Sequence, residues 1–144
     1  MHLTSFTDYT LRVLIYLAIE PGKLATIPEM ASAYGISENH LMKVVHRLAR
    51  SGVIESVRGK GGGVRLVREP GDIRLGAVIR ASEGESVIVE CFSPEANHCR
   101  ITPACKLTRI LGETFEGLYR SLDAYTLADI TANSQELSCL LAIE

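Results

Sequence analysis

A chain of 144 residues, 47% hydrophobic and 22% charged, has material for one ordinary globular core. Its apolar run near the start, Val13 to Ile19, is far short of the roughly 18 residues a bilayer crossing needs, and no cleavage-site pattern accompanies it. The net charge of −2 hides an asymmetry: residues 1–80 carry 11 Lys+Arg against 7 Asp+Glu, and residues 81–144 carry 4 against 10. These features argue against a membrane partner and predict a cytoplasmic protein, in which thiols stay reduced and metal or redox chemistry outranks structural disulfides. A basic first half also suits a polyanion partner, although a solvated charged face would produce the same numbers.

Leu3 to Ile19 predicts the first helix, with Leu3, Phe6, Thr10, Val13, Leu14 and Leu17 on one face and Pro21-Gly22 as the stop. Asp8 and Arg12 stand four apart on one side, the spacing of a local ion pair. Thr26-Ile27-Pro28-Glu29 fits a capping box, opening a short helix to Tyr34 that Gly35 ends. Ser37 then caps a longer helix to about Ser51, closed by Gly52. Two helices joined by a tight glycine turn predict a helix-turn-helix. Leu41, Val44, Val45 and Leu48 form the core face of the second helix, and Asn39, Lys43, His46 and Arg50 lie opposite. Those outward side chains are of the types that read base edges and grip phosphates, although an amphipathic surface helix has the same pattern.

Val53 to Val57 and Val64 to Val67 predict two strands around Arg58-Gly59-Lys60-Gly61-Gly62-Gly63, a hairpin with two cations at its glycine-rich tip. A basic hairpin directly after a helix-turn-helix is a winged helix, and Arg58 and Lys60 join the candidate DNA contacts. The tip is no nucleotide loop, because a P-loop needs Gly-x4-Gly-Lys-Ser/Thr and Gly61 follows Lys60. Asp72 is placed to cap a helix from Ile73 to Ser82, with Leu75, Val78 and Ile79 inward and Glu83-Gly84-Glu85 as its end. Val87-Ile88-Val89 reads as extended.

Cys91, Cys99 and Cys105 follow within fifteen residues, separated by seven and by five positions. Pro94, Pro103 and the Asn97-His98 pair prevent regular structure there. A thiol-dense loop needs an ordering agent: a metal centre, a disulfide, or no common agent at all. Zinc sites usually show cysteine pairs two to four residues apart, which this chain lacks, while iron–sulfur clusters accept wider spacing. After Cys105 a long helix runs to about Asp123, with Leu107, Leu111, Phe115, Leu118, Leu122 and Tyr125 close to a coiled-coil seam. That stripe predicts a homodimer interface, with packing on the first helix as the alternative. Thr126 to Thr131 predicts a further turn or two, and Cys139, among leucines, reads as a core residue. No nucleophile–base pair or cofactor fingerprint suggests an enzyme.

Helix-turn-helix, wing, three-cysteine loop and long helix in this order resemble the winged-helix regulators that carry iron–sulfur clusters, the family of IscR and NsrR. Leu3–Tyr9, His98–Leu107 and Leu122–Ile130 look most like its nitric-oxide-responsive branch. The resemblance implies a mostly α fold with a small β-hairpin wing and a long dimerisation helix. It divides the chain into a DNA-binding domain (1–82), a cluster loop (83–105) and a dimerisation helix with tail (106–144). It further implies a cytoplasmic homodimeric repressor on a palindromic operator. A cluster, 4Fe–4S ahead of 2Fe–2S, would be held by Cys91, Cys99 and Cys105, with Asp8 of the partner subunit as fourth ligand and nitric oxide as signal. The seven residues between Cys91 and Cys99 exceed the family's usual spacing, so the Pro94-Glu95 region either bulges or shifts Cys91. The histidine that IscR-like proteins use after the third cysteine is absent, since positions 106–109 are Lys, Leu, Thr and Arg. His98 is a further possible ligand, awkwardly placed beside Cys99. A cluster-supply or redox-sensing regulator and a zinc-stabilised winged helix are the alternatives.

Overall fold

The computed structural model describes residues 2–84, 88–93 and 95–143. Helix α1, Ser5–Ile19, starts two residues later than the periodicity predicts, because Thr4 takes the extended cap conformation and its hydroxyl accepts from the Thr7 N–H. Leu3 is therefore left outside and exposed. Val13 and Leu14 are fully buried, and Leu17 nearly so. Each such aliphatic side chain contributes about 1.5–3 kcal/mol by leaving water. Thr10 is buried at the same level without penalty, since its hydroxyl donates to the Phe6 carbonyl at 2.8 Å.

Helix α2, Ile27–Tyr34, carries the expected capping box: the Thr26 N–H donates to the Glu29 carboxylate at 2.6 Å, and Thr26 Oγ1 accepts from the Glu29 N–H. Gly35 then reverses the chain at φ 63°, and α3, Glu38–Arg50, begins under the Ser37 hydroxyl. Ala31, Leu41, Val44, Val45 and Leu48 are all buried, as a helix-turn-helix requires.

Strands β1, Ile54–Val57, and β2, Gly63–Leu66, pair antiparallel with Ile54 opposite Leu66 and Glu55 opposite Arg65. Each is a little shorter than predicted, although the Val67 N–H still donates to the Val53 carbonyl. Ala25 exchanges two backbone hydrogen bonds with Val64, which ties the wing to the residue before the α2 cap. The wing is thereby joined to the helix-turn-helix by more than its own connecting turn.

Helix α4, Leu75–Glu83, corrects the expected start at Ile73. Pro70–Asp72 forms a separate 3-10 turn, and Asp72 caps nothing. The cap comes from the far end of α5, Lys106–Asp123: Asp123 Oδ1 accepts from the Ala77 N–H at 2.8 Å. Leu75, Val78 and Ile79 are buried as expected. Gly76 lets the two helices touch, since a Cβ there would meet the Tyr119 carbonyl and lie 2.5 Å from Asp123 Oδ1. Arg80 closes the same contact, with both terminal guanidinium nitrogens donating to Glu116 and its Cζ 4.2 Å from the Tyr119 ring centre.

Helix α6, Leu127–Ile130, has a second capping box from Thr126 and Asp129, and buries Leu127 completely. Helix α7, Ser134–Leu140, follows where the sequence suggested only a tail. Cys139 is exposed, which corrects its expected place in the core. Leu137 and Leu141, four apart, are the half-buried leucines there, and Leu140 is 76% exposed beside Cys139.

Candidate DNA interface and thiol loop

The outward face of α3 is built as predicted. Asn39, Lys43, His46 and Arg50 are all exposed, as are Arg58 and Lys60 at the wing tip. Among the described residues none of the four cations Lys43, Arg50, Arg58 and Lys60 has an ion-pair partner. Two other exposed cations of the basic stretch are committed to partners within the chain. Arg47 turns toward α4, donating to the Ala81 carbonyl at 2.7 Å and lying over the Phe6 ring. Arg65 pairs across the hairpin with Glu55 at 2.6 Å. The charge available to phosphates thus lies along α3 and at the wing tip, the two places where a winged helix meets a duplex.

The thiol loop contains two 3-10 turns, Glu90–Phe92 and Thr102–Ala104. Val89 before the first turn is extended, while Val87, Glu85 and Pro94 lie outside the described residues. Asn97 organises the middle of the loop: its Oδ1 accepts from the Cys99 N–H at 3.0 Å and its Nδ2 donates to the Thr102 hydroxyl. That hydroxyl in turn donates to the Cys99 carbonyl at 2.9 Å. Cys91, Cys99 and Cys105 are each half-buried and free, and His98 is exposed.

Cys91 contacts a side chain that the sequence did not single out, at the start of the helix that Cys105 precedes. The Thr108 hydroxyl lies 3.5 Å from Cys91 Sγ. The same hydroxyl, followed by the Thr108 and Leu107 backbone N–H groups at the start of α5, draws the Cys105 thiol below the ordinary cysteine range. A threonine in the first turn of the helix that Cys105 precedes is the signal that could have found it. Among the described residues no three His, Cys, Asp or Glu side chains close on a point that one metal ion could occupy. A tetrahedral zinc site needs such convergence. A polynuclear cluster binds each thiolate through a different iron, so three free thiols spread over one loop fit it better.

Asp8 sits in the first turn of α1 and pairs with Arg12 at 2.9 Å, the local ion pair that its spacing predicted. With side chains 45% and 41% exposed, this pair contributes only a few tenths of a kcal/mol, about 0.3–0.5. Its connections matter more than its strength. The Arg12 guanidinium lies 6.0 Å from the Tyr9 ring centre and 5.8 Å from that of Tyr34. Tyr34 ends α2, and burial pushes its phenol up to about 12. The Tyr9 ring stands 6.0 Å from His40 in the first turn of α3. Asp8 therefore connects, through Arg12 and two aromatic rings, to both helices of the reading head.

Helix α5 buries none of its residues. Leu107, Ile110, Leu118 and Tyr125 are each more than 40% exposed, beside a groove lined by Leu3, Ile79, Ile88, Phe115 and Leu122. No described helix is long and apolar enough to cross a membrane.

Residues 3–133 match the Rrf2 family, described as iron-dependent transcriptional regulators. The chain is similar to the HTH-type transcriptional regulator NsrR of Bacillus subtilis strain 168, at 47% identity over 100% of this chain and 99% of that protein. It is 43% identical to NsrR of Halalkalibacterium halodurans, with the same coverage. Among solved structures, T. potens IscR aligns with a TM-score of 0.74 at 26% identity, covering 95% of this chain and 90% of that one. CymR, the global cysteine regulator of B. subtilis, aligns at 0.70 and 27% identity, covering 92% and 98%.

Proposed function

The chain belongs to the Rrf2 family of transcriptional regulators, and from that premise we propose that it is a homodimeric repressor whose iron–sulfur cluster senses nitric oxide, damage to the cluster releasing the operator. DNA binding and transcriptional regulation come with the family and agree with the exposed cations Lys43, Arg50, Arg58 and Lys60, which have no ion-pair partner among the described residues. The observation that best supports the sensing function is the contact of Cys91 Sγ with the Thr108 hydroxyl, which brings Cys91 back to the start of the helix that Cys105 precedes and that docks on α4. The start of α5 next to the thiol loop thereby reaches α3 only by way of α4, whose Ala81 carbonyl accepts from Arg47.

Cys91, Cys99 and Cys105 would hold the cluster, 4Fe–4S ahead of 2Fe–2S, and the partner subunit's Asp8 would be the fourth ligand. When bound, a cluster with one hard carboxylate among soft thiolates supplies an iron that a small diatomic molecule can reach. The protein's part is positional. A change in where Asp8 is held alters the partner of Arg12, and Arg12 contacts the rings that touch the end of α2 and the start of α3. The exposed apolar stripe of α5 supports a two-fold dimer, which would set the two α3 helices about 34 Å apart on successive major grooves. A coupling of about 1–3 kcal/mol between loop and reading head changes DNA affinity roughly 5–150-fold, enough for derepression.

Anaerobic purification followed by absorption and native mass spectra tests the metal assignment, with Cys99→Ser as the comparison. The proposal expects a coloured protein with iron and sulfide in its mass and loss of both in the variant. A colourless protein carrying zinc, or iron retained unchanged by Cys99→Ser, would overturn it.

A further inference from the structure

One side chain on the outward face of α3 has no role in reading by hydrogen bond or charge. Met42 is 51% exposed, whereas the other large apolar side chains of this helix, Leu41, Val44, Val45 and Leu48, are at most 6% exposed. At helical spacing Met42 falls four residues after Glu38, three after Asn39 and four before His46, so these three are its neighbours on the surface of the helix. It therefore borders the face that carries the polar candidates, next to Asn39 and His46. Single exposed apolar residues are common on protein surfaces, and methionine is a good helix former. Two facts set this one apart. It lies in the first half of a recognition helix, the part that meets base edges. And a thioether cannot pair with a phosphate or donate to a base, while the one apolar group among the major-groove edges is the thymine C5-methyl.

We propose that Met42 is a specificity-determining residue that reads the C5-methyl group of one thymine in each half-site of the operator. Its unbranched, polarisable chain can settle over a methyl group without a fixed geometry. Cytosine at that position would remove the methyl and bring an amino donor that a thioether satisfies poorly. The inference rests on helix-turn-helix binding to DNA and is independent of the cluster and of nitric oxide.

The test begins with full-length, anaerobically purified protein and selection of bound duplexes from a random-sequence pool. Each thymine of the selected sequence is then replaced in turn by deoxyuridine, which removes the methyl alone, and affinities are measured for wild type, Met42→Ala and Met42→Leu. The expected result is one symmetry-related pair of positions where deoxyuridine weakens wild-type binding about four-fold per half-site, the worth of one buried methyl-sized group. Met42→Ala should bind thymine and deoxyuridine equally there, with an unchanged salt slope, and Met42→Leu should restore the preference. Undiminished discrimination in Met42→Ala, or no methyl-sensitive position in wild type, overturns the role of Met42 alone. A pool that yields no enriched sequence overturns helix-turn-helix readout together with it.

Discussion

Gly76→Ala tests the joint between the reading head and the long helix, and two effects of opposite sign meet there. Alanine is the better helix former by at most about 1 kcal/mol. Against this, its methyl would strike the Tyr119 carbonyl and the Asp123 carboxylate, backbone and cap of the facing helix. Overpacking of this kind costs about 1–3 kcal/mol. Moving Asp123 also strips the Ala77 N–H of its acceptor, about 1 kcal/mol more at a solvent-exposed site. The balance is a loss of about 2 kcal/mol, roughly 7 °C in Tm for a chain of this size. Thermal unfolding followed by circular dichroism measures it, with Asp123→Ala expected to lose less because only the cap disappears. A Gly76→Ala protein at or above the wild-type Tm would show that helix propensity outweighs the contact and that α4 and α5 are not pressed together as described.

Lys43→Ala, Arg58→Ala and Lys60→Ala should each weaken DNA binding and reduce the slope of log K against log salt by about 1, while Arg47→Ala and Arg65→Ala leave that slope unchanged; fluorescence anisotropy across salt concentrations reads this directly. Leu118→Glu, on the exposed stripe of α5, should convert a dimer to monomer in light scattering, with secondary structure retained because Leu118 is not part of the chain's own core. Backbone N–H groups of Thr26 and Thr126 lower the carboxyls of Glu29 and Asp129, so the native state prefers them ionised. Their stabilisation is present above the ordinary values of about 4.3 and 3.9 and fades as pH falls through the lower folded values. Tm should therefore drop less steeply below about pH 4.5 in a Glu29→Gln, Asp129→Asn double variant than in wild type.

The reading head was legible because its signals are local. Thr26, Gly35, Ser37 and Gly52 mark their own helix ends, and the apolar spacing of α3 identifies its buried side. The start of α4 was not, because its cap, Asp123, stands 46 positions beyond the N–H it accepts from, and Pro70-Gly71-Asp72 mimics a local start. Cys139 misled because leucines on both sides suggest burial, while a short helix against α1 hides only one side of itself. At the candidate site the thiols were visible as residue types, but Thr108 was not, since it acts through the fold that returns Cys91 to the start of α5. Asp8 shows the reverse case: its pairing with Arg12 was plain from spacing, and its reach to α2 and α3 depends on ring positions that no pattern encodes.

The central claim is that events at the thiol loop govern grip on DNA. The most direct measurement is operator affinity of the anaerobic iron-loaded protein during titration with nitric oxide, for wild type and Asp8→Ala in parallel. Affinity in wild type should fall by roughly 5–150-fold as the iron is consumed. Asp8→Ala, which removes an exposed ion pair of little worth to folding, should start weaker and respond less. Wild-type affinity that stays constant through the titration, or that equals the affinity of metal-free protein from the outset, would contradict the account.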